Sequence, residues 1–275
     1  MRRIALYSDI HGNVPALEAV YADIERSGIT ERYCLGDLIG YGPDPIGVVE
    51  RVRASGDPTI QGNYDEGVAK RAGSCGCYYA TDQARSDGEK SYEFTDSMLD
   101  EPSATWLLSR ELHIPLAEGD ARILLVHGSP RKINEYLMLD RGEGQLTRLA
   151  EEAQADAVCH GHIHIPYHRS FPAVGDAGRG VAGADTAGTI HFVSSGSVGK
   201  PKDGDSRAGW VELVMGTREE VVSAAPHDPA AAPLGTTDVW LGHIVHRVDY
   251  DLESVAQAML ARGLPETLVE ALRAG

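Results

Sequence analysis

Five short segments of this 275-residue chain bring hard or borderline metal ligands next to glycine. They are Asp9-Ile10-His11, Gly36-Asp37, Gly62-Asn63, His127-Gly128 and Gly161-His162-Ile163-His164. Carboxylates and imidazoles suit manganese, iron, zinc or cobalt, and the lack of thiolates in the set argues against a closed structural zinc. Two such ions roughly 3.5–4 Å apart can clamp a phosphate, lower the pKa of a bridging water, and stabilise both attacking and leaving oxygens. One carboxylate must bridge the pair, and a neutral amide oxygen can ligate without adding negative charge. Asp37 and Asn63 suit these two roles. Singly, each segment also reads as a helix N-cap neighbourhood, a turn or a strand terminus. In order and together they read as a metal centre.

Such a centre needs elements that deliver all five segments to one place. Ile4–Tyr7 is a continuous apolar run, as expected for a strand buried on both faces. A helix is expected from Asn13 as N-cap, with Leu17, Val20, Tyr21 and Ile24 on one face. Arg32–Leu35 reads as a second strand, Ile46–Arg53 as a helix, and Thr59–Gln61 as a third, short strand. This rhythm predicts a layered α/β fold, in which ligands bind beyond the carboxyl ends of strands. Residues 64–111 read as largely helical. His113–Leu116, Arg122–Val126 and Ala157–Cys159 read as strands, with a helix over Leu146–Ala153. Tyr167–Phe171, Thr189–Ser194 and Trp210–Val214 predict a second, antiparallel sheet edge. A strand at Ile244–Val248 and two helices close the chain. Two stretches rich in glycine, alanine and proline, near 172–188 and 223–240, read as surface insertions on a single domain spanning 1–275.

The five blocks resemble the calcineurin-like metallophosphoesterases, whose pattern is D-x-H, G-D, G-N-H-[DE], H-G and G-H-x-H. All occur in order between Asp9 and His164. The resemblance implies an αββα sandwich of two sheets and two divalent ions. Manganese is the expected metal, with iron, zinc, cobalt, nickel or magnesium as alternatives. It also implies that Asp9, His11 and His164 hold one ion, that Asn63, His127 and His162 hold the other, and that Asp37 bridges. Gly36–Pro45, Ser195–Asp205 and Gly263–Glu266 are further similar to a subgroup of small bacterial and archaeal phosphodiesterases. The chain departs from the family in the third block, which reads Gly62-Asn63-Tyr64-Asp65 where the family has histidine after asparagine as proton donor. Tyrosine titrates near 10 and is a poor general acid at neutral pH. With Tyr64 there, and Asp65 to orient it, esters with poor leaving groups should suffer most.

The remaining features narrow the function. A net charge of −16 argues against a nucleic-acid surface, which needs clustered Lys and Arg. It allows a small phosphoester substrate if metal cations dominate the local field. No run has the length of a membrane span. Cys34 and Cys159 read as buried strand residues, Cys75 and Cys77 as an incidental pair of thiols, and the cytoplasm is the expected location. His160 reads as a hydrogen-bonded strand residue, and His113, His168, His191, His243 and His246 as ordinary strand or surface positions. The loop Ser195–Asp205 reads as a cover for the metal site, and Tyr41 as packing beside the Asp37 loop. The leading expectation is a phosphodiesterase of small esters, cyclic nucleotides among them. A phosphomonoesterase or dinucleoside-polyphosphate hydrolase comes second. A binding scaffold comes third, disfavoured because every ligand is intact.

Overall fold

Alternation along the first strand sets the layers. In β1 (Arg2–Tyr7), Ile4 and Leu6 point into one apolar cluster, while Ala5 and Tyr7 point into another. The first cluster also holds Leu125, Cys159, Val211 and Leu213, so it is the core between two sheets. The second holds Leu17, Val20, Val48 and Val52, so it lies between a sheet and its covering helices. A strand buried on both faces has to be apolar at every position, which accounts for the unbroken Ile4–Tyr7 run.

In the computed structural model, which describes residues 1–173 and 188–275, β1 leads to α1 (Val14–Ser27), β2 (Arg32–Cys34) and α2 (Pro45–Ser55). Three helices follow: α3 (Asn63–Ala69), α4 (Asp82–Met98) and α5 (Glu101–Leu108). Then come β3 (His113–Glu118), β4 (Ala121–Val126), α6 (Glu143–Glu152), β5 (Ala157–His160) and β6 (Tyr167–Pro172). The described chain resumes with β7 (Thr189–Ser194), β8 (Ala208–Gly216), α7 (Arg218–Ala224) and β9 (Ala232–Pro233). It ends with β10 (Trp240–Val248), α8 (Leu252–Ala261) and α9 (Glu266–Ala274). One five-stranded sheet has the order β2-β1-β8-β10-β9 and the other β3-β4-β5-β7-β6. The fold is the expected α/β sandwich of two mixed sheets flanked by helices.

Three local expectations change. Thr59–Gln61 is not a strand: Thr59 bridges Cys34 and Ile60 bridges Glu111 as isolated pairs. Trp210–Val214 does not extend the second sheet. It lies in β8, antiparallel between β1 and β10 in the first, and fills that sheet's centre with Val211, Leu213 and Met215. Of the three expected strands, β6 and β7 form one antiparallel edge of the second sheet, and β3 against β4 forms the other. The stretch 223–240 contains the end of α7 and β9, and it buries Leu234 completely. Most of the expected insertion at 172–188 falls outside the described residues.

The parallel strands β1 and β2, and likewise β4 and β5, end where the candidate ligands begin. Just past β1, Asn13 caps α1 by accepting from Ala16 N at 3.1 Å, and its Nδ2 donates to Gly199 O at 3.1 Å. One side chain thus starts the helix and anchors the 195–205 loop. Asn13→Ala is expected to destabilise the chain by about 1–2 kcal/mol. That should lower the melting temperature by roughly 2–4 °C per kcal/mol. Asn13→Asp, which keeps the cap, should lose less; equal losses in the two variants would contradict the capping role.

Candidate metal centre

The seven expected ligands, Asp9, His11, Asp37, Asn63, His127, His162 and His164, converge and are all buried. Their donor atoms fall in two groups, Asp9–His11–His164 and Asp37–His127–His162. Asp37 Oδ2 lies between the groups, 3.8 Å from His11 Nε2 and 3.4 Å from His127 Nε2.

Backbone carbonyls decide which ring nitrogens carry protons. Nδ1 of His11 faces Ile39 O at 2.9 Å, Nδ1 of His127 faces Leu35 O at 2.7 Å, and Nδ1 of His164 faces Lys200 O. A carbonyl only accepts, so each Nδ1 is the protonated nitrogen and, in the neutral ring, each Nε2 is a bare lone pair. Nε2 of His11 and Nε2 of His164 nevertheless stand 3.1 Å apart. Burial pulls His11 down to about 3, with His164 adding to the effect, and burial pulls His164 well down too. No proton is therefore available to join them. Asp9 Oδ1 and His162 Nε2 are buried with no hydrogen-bond partner among the described residues.

The other group has the same shape with one proton in it. Asn63 Nδ2 donates to Cys75 O at 2.9 Å and to Cys77 Sγ at 3.2 Å, so its oxygen faces His127 Nε2, 3.0 Å away. Burial opposes a charge on His127, but the carboxylates of Asp37 and Asp9 outweigh it and lift the imidazole to about 9. A set of converging lone pairs with one proton among them is the donor chemistry of a divalent-cation site. The residues present fit such ions.

The backbone is strained where it presents these groups. Eight described residues other than glycine have positive φ, and Asp9, His11, Asp37, His162 and His164 are five of them. Such conformations cost of order 1–3 kcal/mol each and persist only where the surroundings hold them. Asp65 is one such hold. Its carboxylate accepts from the N–H groups of Asp37, Leu38, Ile39 and Gly62 at 2.9–3.3 Å, fastening the Asp37 turn to the start of α3. Burial and the charge of Asp37 push Asp65 up to about 7. Gly62 and Gly161 allow close approach: a Cβ at Gly62 would lie 2.1 Å from Asp37 N, and one at Gly161 2.7 Å from Asp9 Oδ2.

Tyr64 does not reach the open site. Its ring is fully buried against His11 and Tyr41, at 5.6 and 4.9 Å between centroids. Its hydroxyl has no partner among the described residues, and burial drives it well above 10. Asp65 is spent on backbone N–H groups and does not orient that hydroxyl. The expected proton-donor position thus lies in the core cluster, its ring packed against the imidazole of His11 and the phenol of Tyr41.

The 195–205 loop does cover the centre. Gly199 N donates to Asp9 O at 3.0 Å, Ser197 Oγ donates to Asp9 O at 2.7 Å, and Lys200 O fixes His164. The loop also brings Lys200 and Lys202 to a cavity of about 220 Å³ shared with Tyr41, Cys77, Tyr79 and Tyr136. Lys200 Nζ sits 4.8 Å from the Tyr41 ring centroid, and burial together with the Lys202 charge lowers Lys200 to about 7. The Tyr136 ring packs 4.1 Å from that of His162, so the cavity borders the centre. Sequence reading missed Lys200, Lys202, Cys77 and Tyr136. The one available signal was two lysines close together in an acidic chain. His160 behaves as expected, bonded to the Tyr167 hydroxyl at 2.9 Å.

Known proteins share the fold and the family of this chain. The chain is 27% identical over 274 residues to the uncharacterized protein MJ0912 of Methanocaldococcus jannaschii, covering 99% of this chain and 98% of that one. A metallophosphoesterase from Sphaerobacter thermophilus superposes with a TM-score of 0.66 at 25% identity, covering 100% of this chain and 99% of its own. The hypothetical protein PH1004 of Pyrococcus horikoshii OT3 superposes with a TM-score of 0.70 at 18% identity, covering 99% and 98%. The family model of the calcineurin-like phosphoesterase superfamily domain matches residues 2–216, and the chain belongs to that superfamily.

Proposed function

We propose that the chain hydrolyses small phosphodiesters by metal-assisted attack of water at a centre of two divalent ions. The observation that carries this is the pair of converging, proton-poor donor groups on either side of Asp37 Oδ2. Members of the superfamily use divalent metals. In this reading Asp9, His11 and His164 hold one ion, Asn63, His127 and His162 hold the other, and Asp37 bridges. Two ions there would supply Lewis acidity at the phosphoryl oxygens and a nucleophile from water at neutral pH. Manganese suits the oxygen and imidazole donors.

The chain's own groups shape the substrate. Lys200 and Lys202 line the bordering cavity beside Asp87; burial lowers both lysines, Lys200 to about 7, so an anionic ester placed there would favour their charged forms. The cavity volume of about 220 Å³ suits a small one. The buried Tyr64 hydroxyl is not placed to protonate a leaving group, so departure rests on that group's own acidity. This favours esters with acidic leaving groups over alkyl esters. No helix among the described residues is long and apolar enough to cross a membrane. The four cysteines are free, which fits the cytoplasm we assign.

The phosphoesterase centre should contribute two divalent ions per chain to purified protein, and Asp37→Ala should remove most of that contribution, because a bridging ligand contacts both. Elemental analysis checks this; no metal uptake by the wild type on reconstitution would sink the reading.

Metal entry at His127 must displace its proton, which is held up to about pH 9. Affinity for that ion should therefore rise about tenfold per pH unit below 9 and level off above it. His11, already neutral above about 3, imposes no such slope on the other ion. Calorimetric titrations from pH 6 to 9 should show one steep and one shallow dependence. Two shallow ones would contradict the role of His127.

Tyr64→Phe should leave turnover of a nitrophenyl diester within about threefold of wild type, since an acid worth about 10²–10⁴ is absent either way. A selective loss of that size on alkyl esters would show that Tyr64 is the proton donor after all.

A further inference from the structure

A second cluster of imidazoles lies outside the phosphoesterase centre, where β6, β7 and β10 meet the loop after α7. His168 Nδ1 is 2.8 Å from Asp228 Oδ2, and His168 Nε2 is 2.9 Å from His191 Nδ1. His191 Nε2 is 2.8 Å from Pro233 O. His243 Nδ1 stands 3.4 Å from the same Asp228 oxygen, and its backbone N–H donates to that oxygen at 2.8 Å. The other Asp228 oxygen accepts from Ala230 N at 3.0 Å. The side chains of His168 and Asp228 are wholly buried, and that of His243 is 13% exposed. Both ring nitrogens of His243 are buried without a hydrogen-bond partner among the described residues.

Counting protons along this row exposes a gap. Pro233 O only accepts, so His191 Nε2 carries a proton and His191 Nδ1, in the neutral ring, does not. His168 Nε2 must then donate to it, which leaves His168 Nδ1 as a lone pair facing a carboxylate oxygen at 2.8 Å. A third proton would repair the contact by making one ring cationic. The His168 and Asp228 side chains are fully buried, where an added charge is costly. The His168 lone pair thus faces the Asp228 carboxylate, and both ring nitrogens of His243 stand beside it without a hydrogen-bond partner among the described residues.

We propose that His168 Nδ1, Asp228 and His243 Nδ1 form a separate site for a zinc-class divalent ion, with His191 fixing the His168 tautomer from behind. Bonds of about 2.0–2.1 Å in a tetrahedral site put neighbouring donors about 3.3 Å apart. The His243–Asp228 separation of 3.4 Å matches this, the His168–Asp228 separation needs to open by about half an ångström, and all three donors lie within 4.8 Å of one another. Two imidazoles and one carboxylate are a borderline-hard set that suits zinc. His191 supplies the outer hydrogen bond that metal-bound histidines ordinarily have. The ligands come from β6, the edge of the second sheet, from β10 in the first sheet, and from the loop joining α7 to β9. An ion there ties the two sheets together at an open edge.

Zinc per chain, measured by elemental analysis after loading and gel filtration, tests the site in full-length protein. The wild type and an Asp9→Ala/Asp37→Ala double variant, whose phosphoesterase centre is disabled, should each lose about one zinc per chain on adding His243→Gln. Cobalt in the double variant should show the intense visible bands of a tetrahedral site, absent once His243 is replaced. His191→Phe should keep the count and weaken affinity about 10- to 100-fold. Should His243→Gln fail to fold, Asp228→Asn, which keeps the shape of the side chain, decides by the same count. A zinc count unchanged by both substitutions would overturn the proposal. Loss of zinc from a wild type that holds no other metal would uphold this site while refuting the phosphoesterase centre.

Discussion

No proton can sit between His11 and His164. Carbonyl oxygens of Ile39 and Lys200 claim the proton of each ring at Nδ1, and burial denies either ring a second one. Their Nε2 lone pairs are left 3.1 Å apart, an arrangement that is repulsive until a cation lies between them. Asp9 Oδ1 and His162 Nε2, orphaned in the same interior, carry the same demand. Burying polar groups without partners costs free energy, so the fold must supply it from elsewhere. The two-sheet core and the helices outside it are what hold these groups in place.

The means of holding them are local and specific. Five of the ligands adopt left-handed backbone, which their side chains do not favour. The strain is countered by Asp65, whose carboxylate collects four N–H groups, and by Gly199 and Ser197, which bind the carbonyl of Asp9 from the covering loop. Asn63 is aimed in the same fashion, its amide nitrogen tied to the Cys75–Cys77 turn so that its oxygen faces the centre. Of the two thiols that read as incidental in the sequence, that of Cys77 contacts Asn63, while Cys75 contributes its backbone carbonyl. A conservative change at Asp65 or Gly62 would act on metal affinity without touching a metal.

What was legible in the sequence follows from what was local. Ligands that terminate strands can be read from short blocks, because a strand end, a glycine and a donor lie within two or three residues of each other. The α1 cap at Asn13 and the alternating faces of β1 are local in the same sense. Pairings across the fold were not legible: nothing in Trp210–Val214 says that β8 enters the first sheet beside β1. The fate of Tyr64 was hidden for a related reason. Its block gave a family position, while its neighbours Tyr41 and His11 come from other turns and turn that position into core. His168, His191, Asp228 and His243 are the strongest case. They are spread over three strands and a loop, and no spacing rule relates them.

Charge links the two halves of the phosphoesterase centre to its substrate. Without metal, the carboxylates of Asp9 and Asp37, with Asp65 close behind, face one imidazolium at His127. Such a pocket repels phosphate, as does the acidic surface around it. In the proposed reading, two divalent cations would outweigh those carboxylates even after His127 gave up its proton, and the sign of the local field would reverse. Lys200 and Lys202 would then add to a field they would otherwise only dilute. On that reading anion binding would be conditional on metal, without the large basic surface that nucleic-acid phosphates require. An acidic chain can in this way discriminate for small phosphoesters by reserving its positive potential for one enclosed place.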